Sequence, residues 1–248
     1  MAQRDEIRQA ALLIAQARRV AVLTGAGISA ESGIPTFRGL GGLWNGRDPL
    51  SLATPEAFSA DPELVWEFYN WRRDLVSRAE PNAGHRTLAE LAPRFSSLKI
   101  VTQNVDRLHQ RAGSPHQDVI EVHGSLDVVR CTGCGLSSDQ AGVFLPALPA
   151  CESCGHLLRP GVVWFGESLP ADAWLAAEAT MREADVLLVV GTSAVVYPAA
   201  GLVVTAQEAG SPVIEINVEP TPVSSIADLF LQGPSAEVLP AIRDALPN

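Results

Sequence analysis

The sequence is short of lysine, of positive charge and of long apolar runs. Lys99 is the only lysine among 18 basic residues, and the net charge is −10. A general nucleic-acid-binding protein usually presents a basic face, so this acidic balance argues against one. A membrane helix needs about 18 consecutive apolar residues, and no run approaches that length. We therefore expect a protein that binds neither nucleic acid in general nor a membrane.

The N-terminal segment also lacks the pattern of a targeting signal. It has no short apolar stretch followed by a small-residue cleavage site, and Asp5 and Glu6 do not suit a transit peptide. Residues 4–17 instead have the periodicity of an amphipathic helix. We expect a cytoplasmic protein. Because no heptad seam is present, we also expect a monomer.

Cysteine is scarce, and all four cysteines lie in two Cys-x-x-Cys pairs, Cys131/Cys134 and Cys151/Cys154. The 16 residues between the pairs fall within the spacing of zinc ribbons. Four thiolates fill a tetrahedral Zn²⁺ shell and leave no open position, so the metal should be structural. The alternatives are a redox dithiol or two disulfides, which the lack of a secretion signal makes less favourable.

Near-continuous apolar runs, typical of buried strands, alternate with helical segments along the chain. The strand-like runs are 20–24, 98–102, 186–190 and 213–217, and two of the helical segments are 82–92 and 171–183. This alternation predicts an α/β fold with a Rossmann-like parallel sheet that has helices on both faces. The cysteine segment and a helical insert should form a smaller zinc-ribbon/helical domain. The 248 residues suffice for this single unit.

Each predicted strand is followed by a polar cluster, and the clusters are Gly25–Ser29, Gln103–Asp106, Gly191–Ser193 and Asn217–Glu219. The carboxyl ends of parallel strands meet at one edge of a sheet, where ligands bind. The clusters therefore predict one shared nucleotide site.

The first cluster, together with Ala30, fits the G-x-G-x-x-G/A pattern of a dinucleotide-binding turn. Glycines there permit close approach of backbone N–H groups to a pyrophosphate. In such turns an acidic residue that hydrogen-bonds the ribose is expected about 20 residues later, and it is missing here. Glu219 is a better candidate for a hydrogen bond to a ribose hydroxyl. A plain strand-to-helix turn is the alternative reading.

Gln103, Asn104 and Asp106 concentrate three polar side chains at the end of the second strand, and His123 follows in the segment Glu-Val-His-Gly-Ser. An imidazole with a pKa near neutrality suits a general base acting on a sugar hydroxyl. A lone histidine is more often structural, however. His85 and His109 lie in helical contexts, where packing or capping roles are expected.

Taken together, these segments resemble the sirtuin family of NAD-dependent protein lysine deacylases. The matching segments are 25–38, Thr102–Asp106, His123–Ser125, both cysteine pairs, Val162–Glu167, Gly191–Ser193 and Asn217–Glu219. They span most of the chain in the family's order, which makes the series specific although each piece alone is not.

The resemblance implies an NAD site and one structural Zn²⁺ held by the four cysteines. The positions matched to NAD contacts are Gly25, Ala26, Gly27, Glu31, Thr36, Phe37, Arg38, Trp44, Gln103, Asn104, Val105, Asp106, Gly191, Thr192, Ser193, Asn217, Val218, Glu219 and Ser235. His123 would be the base, and Asn104 would position the ribose or a water. Asp106 would hold the nicotinamide carboxamide. The products would be nicotinamide, free lysine and 2′-O-acyl-ADP-ribose.

The resemblance also implies a division of the chain and a place for the substrate. A large NAD-binding part would comprise approximately residues 1–38, 82–125 and 160–248. A small part would comprise the helical insert 39–81 and the zinc module 126–159. An acyl-lysine protein segment would bind as an added strand along Val162, Val163, Trp164 and Phe165. A buried strand is the other reading of that apolar run, and both can hold.

A predicted helix over 61–79 carries Tyr69 and Arg72 on one face. A phenol with a guanidinium fork is well suited to a carboxylate, although an arginine snorkelling at the edge of the apolar stripe is an equal alternative. The Tyr-x-x-Arg pair and the small Ala53 resemble class III sirtuins, which remove succinyl, malonyl and glutaryl groups. We therefore expect desuccinylase and demalonylase activity alongside deacetylation.

Three other functions remain open from the sequence. The same NAD site would serve mono-ADP-ribosylation of proteins. A binding module that senses NAD, or that holds nucleic acid on its zinc ribbon, is disfavoured by the set Asn104, Asp106 and His123 and by the acidic charge. A hydride-transferring dehydrogenase is disfavoured by the missing acidic ribose reader and by the zinc segment.

Overall fold

A computed structural model describes residues 2–36, 44 and 46–247. In chain order the strands are β1 (Arg19–Thr24), β2 (Ser97–Thr102), β3 (Val119–Glu121), β4 (Gly124–Cys131), β5 (Ser137–Asp139), β6 (Leu158–Val162), β7 (Val186–Val190), β8 (Val213–Asn217) and β9 (Leu229–Gln232). The helices are α1 (Ala2–Gln16), α2 (Ala26–Ala30), α3 (Pro49–Leu52), α4 (Pro55–Ala60), α5 (Pro62–Arg78), α6 (Ala83–Leu91), α7 (Leu108–Arg111), α8 (Ala171–Glu183), α9 (Gly201–Glu208) and α10 (Ser235–Ala245).

The larger sheet contains six parallel strands in the order β3-β2-β1-β7-β8-β9. Its central strands are those predicted from the apolar runs, and β7 and β8 have the predicted bounds. The edge strands β3 and β9 are only 3 and 4 residues long. Such short segments carry too little periodicity to be recognised in the sequence.

The larger sheet is covered on both faces, as predicted. Val20 and Val22 of β1 join an apolar cluster with side chains of α1, α6 and α10. The alternate residues Ala21 and Leu23 join a second cluster with side chains of α8 and α9. Successive side chains of a strand point to opposite faces, so a strand buried on both sides must be apolar throughout.

The strand order changes direction next to β1. The chain builds β1, β2 and β3 outward on one side, then returns to place β7 on the other side of β1. A crevice forms outside the carboxyl ends of strands at such a switch point, because the connecting loops diverge there. The glycine-rich segment after β1 and the segment Gly191–Ser193 after β7 both lie at this point.

A second, antiparallel sheet has the order β5-β4-β6. It packs on α5, which begins as the sequence predicts: the side chain of Asp61 accepts a hydrogen bond from the N–H of Leu64 at 3.0 Å, and Pro62 occupies the first turn. Trp66 of α5 donates its indole N–H to the carbonyl of Leu158 at 2.8 Å. This sheet, with α5, forms the predicted smaller zinc-ribbon/helical part.

No helix within the described residues is both long enough and apolar enough to cross a bilayer. The division of the chain into a large NAD-binding part and a small part remains a prediction. β4 runs across its boundary at 125/126, and β6 runs across that at 159/160.

Candidate active site

The loops after β1 and β7 interlock through their glycines. Gly27 donates its N–H to the carbonyl of Gly191 at 2.7 Å. A Cβ on Gly27 would lie 2.6 Å from that carbonyl oxygen, and a Cβ on Gly191, whose φ is +58°, would lie 2.3 Å from the N of Ile28. The glycines are therefore required for contact between two loops. Because its N–H is already used, Gly27 does not offer that donor to a phosphate.

Side-chain hydrogen bonds join the other two polar clusters to these loops. Gln103 donates to the hydroxyl of Thr192 at 2.9 Å, and Asn217 donates to the carbonyl of the same residue at 2.9 Å. Asn104 donates to the carbonyl of Gly25 at 3.0 Å. The four clusters predicted from the sequence thus meet at one edge of the sheet.

Asn104 is buried and uses both amide hydrogens within the protein. Its Nδ2 donates to the carbonyl of Gly25 and, at 3.1 Å, to the hydroxyl of Ser29. A carbonyl can only accept, so it is the nitrogen of the amide that faces Gly25. The oxygen Oδ1 therefore remains as the group that Asn104 offers to a ligand. It suits a ribose hydroxyl or a water, both of which are donors.

Asp106 lies beside Asn104 and is held by two donors. The hydroxyl of Ser29 donates to Oδ2 at 2.7 Å, and the N–H of Leu108 donates to Oδ1 at 2.9 Å. Burial raises the pKa of Asp106, while these two bonds and the charge of Arg72 oppose the rise. Sequence reasoning included Ser29 in the glycine-rich cluster but missed its bonds to both polar residues, which only the fold brings together.

His123 lies in the turn between β3 and β4, and its Nδ1 is 3.0 Å from the carbonyl oxygen of Gln103. Because that oxygen can only accept, Nδ1 carries the hydrogen and Nε2 keeps its lone pair. Burial lowers the pKa of His123 below its ordinary value, against the opposing effect of the Gln103 bond. The imidazole is therefore neutral at pH 7, which is the state that a general base requires.

Arg107 directly follows the polar segment Gln103–Asp106, and its backbone has the left-handed conformation, with φ +55°. For a residue other than glycine this conformation is strained. Its guanidinium is 2.5 Å from a carboxylate oxygen of Asp139, 3.6 Å from one of Glu121 and 3.7 Å from one of Asp127. Asp127 and Asp139 belong to the small sheet, so this side chain ties the site to that sheet.

Several predicted NAD contacts have other partners in the structure. Glu31 accepts hydrogen bonds from the hydroxyl of Ser235 at 3.0 Å and the N–H of Ala236 at 3.1 Å, at the start of α10. Trp44 is 6% exposed and packs against Phe68, with ring centroids 5.4 Å apart. The roles of Glu31, Ser235 and Trp44 toward NAD stay predictions.

Other predicted NAD contacts differ in exposure. Val218 and Glu219 are exposed at the end of β8, and Val105 and Ser193 are partly buried. Thr36, also partly buried, is the last described residue before a gap. Phe37 and Arg38 lie outside the described residues.

Tyr69 and Arg72 form a compact group on α5. The Tyr69 oxygen accepts the indole N–H of Trp164 at 2.9 Å, and the Arg72 guanidinium carbon is 5.5 Å from the Tyr69 ring centroid and 5.6 Å from that of Phe68. Burial raises the pKa of Tyr69 and lowers that of Arg72. The Tyr69 phenol and the Asp106 carboxylate oppose this effect on Arg72. The group is therefore a buried cation beside a phenol.

The segment proposed for substrate pairing alternates between core and surface. Val162 and Trp164 are buried, Val163 is partly buried and Phe165 is 50% exposed. Both readings of this apolar run, a buried strand and a binding edge, are therefore compatible with the structure.

The backbone N–H groups of this segment already have partners. Val163 donates to the carbonyl of His123 at 2.9 Å, and Phe165 donates to the carbonyl of Ala53 at 2.9 Å. Trp164 donates to a carboxylate oxygen of Glu167 at 2.8 Å. Two of the segment's carbonyl oxygens have partners as well: that of Val162 accepts from the Arg159 guanidinium at 3.0 Å, and that of Trp164 accepts from the N–H of Glu167 at 3.0 Å. A peptide that pairs as an added strand uses both N–H and C=O groups of its neighbour. Such pairing requires one of these N–H groups to change partner, a requirement that the sequence pattern did not reveal.

The four cysteines converge at one point of the small part. Their Sγ atoms all lie within 4.8 Å of one another, with 3.4 Å between Cys131 and Cys154 and 3.8 Å between Cys134 and Cys151. A disulfide requires about 2.05 Å, so the thiols are not bonded to each other. Zn–S bonds of about 2.3 Å in a tetrahedron separate the sulfurs by about 3.8 Å. The four thiols fit a structural Zn²⁺, as predicted.

Comparison with known proteins identifies one family. Residues 25–198 match the Sir2 family. The chain is 54% identical over 228 residues to an "NAD-dependent protein deacylase" of Aquifex aeolicus, covering 92% of this chain and 95% of the relative. The crystal structure of a Sir2 homologue–NAD complex is 50% identical with a TM-score of 0.89, covering 96% and 93%.

A complex described as Sir2, p53 peptide and NAD⁺ is 34% identical with a TM-score of 0.85, covering 95% of this chain and 96% of that one. The matched segment includes three of the four strand-end clusters and the cysteine module, and the relatives cover more than nine tenths of the chain. This chain belongs to the Sir2 family.

Proposed function

We propose that this chain is an NAD-dependent protein lysine deacylase in which His123 is the general base. The observation that carries the proposal is the bond from Nδ1 of His123 to the carbonyl of Gln103, which leaves a basic Nε2 at the strand-end site. The deacylase relatives and the Sir2 complexes with NAD and peptide support the same reaction.

When bound, NAD supplies the electrophilic ribose carbon from which nicotinamide leaves and the hydroxyl that receives the acyl group. The protein's residues orient these atoms and move a proton. Asn104 Oδ1 would accept from a ribose hydroxyl or a water, and Asp106 would accept from the carboxamide N–H of nicotinamide. His123 Nε2 would take the proton from the ribose hydroxyl that attacks the acyl carbon. Water would complete the release of free lysine, which leaves the acyl group on the ribose oxygen. The structural Zn²⁺ takes no part in these steps.

The acyl-lysine reaches the site along the segment Val162–Phe165. Recognition through main-chain carbonyl groups depends little on the peptide's side chains, which supports broad tolerance of substrate sequence. The carbonyl of His123 bonds to Val163, and that of Ala53 bonds to Phe165. The base and the acyl pocket are therefore both linked to the substrate-binding segment.

We further propose that the acyl pocket accepts succinyl and malonyl groups as well as acetyl. The Tyr69 oxygen accepts from Trp164, so its own proton can be donated to a carboxylate. The guanidinium of Arg72 is buried among aromatic rings, where burial disfavours its charge. A carboxylate beside it restores a favourable charge environment. Ala53, which packs against the apolar cluster that contains Tyr69, has a small side chain, and this supports a pocket for a longer acyl chain.

The test is mass spectrometry of one peptide in acetyl-lysine and succinyl-lysine forms, incubated with the protein with and without NAD. We expect NAD-dependent loss of both groups, with O-acetyl- and O-succinyl-ADP-ribose as products. Loss of acetyl alone would contradict the acidic-acyl proposal and leave the deacylase proposal standing. NAD-dependent labelling of a protein lacking acyl-lysine, without any deacylation, would replace both proposals with ADP-ribosyl transfer.

A further inference from the structure

We propose that Thr24 and His109 are positioning residues for Asn104, acting through the hydroxyl of Thr102. The proposal rests on the deacylase function proposed above and adds residues to its machinery. Within the described residues, the side chains of Thr24 and His109 form no hydrogen bond with Asn104 itself, whereas the Thr102 hydroxyl accepts its backbone N–H. From its helical context, His109 was expected to have a packing or capping role.

The three side chains form a buried line beneath the site. Thr24 ends β1 and Thr102 ends β2, and the two residues are register partners in the parallel pair. Their hydroxyl oxygens are 2.8 Å apart, and Nε2 of His109 is 3.1 Å from that of Thr24. The exposed fractions of Thr24, Thr102 and His109 are 0%, 3% and 1%. Water therefore does not compete for these bonds.

The donors and acceptors along the line have one consistent order. The backbone N–H of Asn104 donates to the Thr102 hydroxyl oxygen at 3.0 Å, and the Thr24 hydroxyl donates to the same oxygen. The oxygen of Thr24 then accepts from Nε2–H of His109. This order requires a hydrogen on Nε2 of His109, which the neutral Nε2–H tautomer supplies.

The surroundings of His109 favour that form. Its Nδ1 has no hydrogen-bond partner within the described residues, and the ring of His85 lies 4.9 Å away. Burial, with a smaller contribution from His85, lowers the pKa of His109 well below its ordinary value. His109 therefore keeps a single N–H, which it directs to Thr24.

The hydrogen bonds from His109 through Thr24 to Thr102 fix the orientation of Asn104. The side chain of Asn104 is held by Gly25 and Ser29, whereas its backbone N–H is held by Thr102 alone among the hydrogen bonds of the described residues. A threonine hydroxyl can rotate and present its hydrogen instead of a lone pair. Donation from Thr24 keeps a lone pair of Thr102 directed at Asn104. Without that donor, we infer that Asn104 shifts and its Oδ1 leaves the position that serves the ribose.

The first test compares Thr24→Val with Thr24→Ser in steady-state deacylation of an acetyl-lysine peptide. Valine keeps the shape and loses the hydroxyl, whereas serine keeps the hydroxyl and loses a methyl group. We expect kcat to fall about tenfold in Thr24→Val, as for a small misplacement of a reacting group. We expect KM for NAD to change less than about twofold and Thr24→Ser to retain most of the activity. Equal kcat values, or a lower kcat in Thr24→Ser, would show a packing role and overturn the proposal.

A second pair of variants keeps the proposal testable if a threonine variant fails to fold. His109→Gln retains an N–H near the position of Nε2, and His109→Leu removes it. We expect kcat of His109→Gln to exceed that of His109→Leu about tenfold, with thermal unfolding of both variants confirming a native fold. Similar kcat values in the two folded variants would refute the role of the donor.

Hydrogen–deuterium exchange of residues 103–107 provides a readout that does not depend on activity. We expect the Asn104 amide to exchange faster in Thr24→Val than in Thr24→Ser, because only the valine variant loses the donor to Thr102. Equal exchange would overturn the positioning role. Absence of NAD-dependent acyl loss in the unmodified protein would instead refute the proposed function, so the two failures are distinguishable.

Discussion

His123 and Asn104 use their hydrogen-bond donors within the protein and leave acceptors for a ligand. Nδ1–H of His123 goes to Gln103, and both amide hydrogens of Asn104 go to Gly25 and Ser29. The remaining acceptors, a ring nitrogen and an amide oxygen, match the hydroxyl donors of a ribose. At the scale of single residues, the partners of a side chain therefore decide which atom it offers.

The lowered pKa of His123 predicts the pH dependence of the reaction. A base acts only when unprotonated, so kcat/KM should fall at low pH with a midpoint below about 6.5, the ordinary histidine pKa, and should level off about one pH unit above that midpoint. The measurement is kcat/KM for an acetyl-lysine peptide from pH 5 to 8.5. His123→Ala should abolish activity, whereas replacing the exposed His116 with Ala should leave the profile unchanged. A midpoint clearly above 6.5 would contradict the assignment.

Arg72 and Arg73 provide a matched pair on α5. Arg73 donates to backbone carbonyls of Leu126, Gln140 and Val143 and so supports the small part of the protein. We expect Arg72→Met to lower the ratio of desuccinylation to deacetylation, each as kcat/KM, by about 10- to 100-fold, the equivalent of a lost charge-assisted hydrogen bond.

The control is Arg73→Met, which should lower stability and leave that ratio unchanged. Using the ratio separates acyl recognition from indirect effects, since Arg72 also supports Asp106 electrostatically. An unchanged ratio in Arg72→Met would mean that the arginine only packs at the edge of the helix, as snorkelling arginines do.

At the scale of elements, the contact between the β1–α2 turn and the loop after β7 is made backbone to backbone. We expect Gly27→Ala to destabilise the protein by about 1–3 kcal/mol, as overpacking does, and to weaken NAD binding because its Cβ would meet the Gly191 carbonyl at 2.6 Å. Calorimetric titration with NAD and chemical denaturation are the measurements.

Gly201→Ala is the matched control, because its added Cβ meets no atom within 4 Å and the residue lies in α9. Its NAD affinity and stability should equal or exceed those of the unmodified protein. If the two glycine variants have the same NAD affinity and the same stability, the close backbone contact between Gly27 and Gly191 is not required for either.

Helices α6 and α7 meet through two neutral histidines. Burial lowers the pKa of His85 to about 4, below its unfolded value of about 6.5. The unfolded state therefore binds the proton more strongly, and stability should fall as pH decreases from about 6.5 toward about 4. Between pH 6.5 and 5, His85 alone accounts for about 2 kcal/mol of this loss.

Urea unfolding at several pH values measures this effect, and His85→Phe should show a shallower decrease than the unmodified protein. His116→Phe, at an exposed position, should retain the full decrease. A slope in His85→Phe as steep as in the unmodified protein would contradict the neutral-pair assignment.

At the scale of the whole molecule, the zinc module and the site share one strand. β4 starts at Gly124, directly after His123, and ends at Cys131. We expect chelation of Zn²⁺ to unfold the small sheet and to abolish deacylation, and re-addition of Zn²⁺ to restore both. Circular dichroism, metal analysis and activity on the same sample test this. Full activity in a metal-free sample would show that the module does not support the site.

We propose that the large and small parts predicted from the sequence are two halves of one catalytic unit, with the strand-end site at their junction. Arg107 links them through its ion pairs with Asp127 and Asp139, and Asp106 with Arg72 links the polar cluster to α5.

The sequence by itself determined the sheet, the strand-end clusters and the metal ligands. Buried parallel strands must be apolar on both faces, so β1, β2, β7 and β8 are recognisable without a structure. The Cys-x-x-Cys spacing is likewise a local property, because each pair must turn two sulfurs toward one ion.

Only the tertiary structure decided which atoms face a ligand. The tautomer of His123, the orientation of the Asn104 amide and the partners of Ser29 depend on groups 20 to 79 residues away. The line from His109 to Thr102 is equally invisible in the sequence, where a buried helical histidine cannot be distinguished from a packing residue. Hydrogen bonds between distant segments leave no periodic pattern in the sequence, because each depends on where the folded chain brings one donor and one acceptor together.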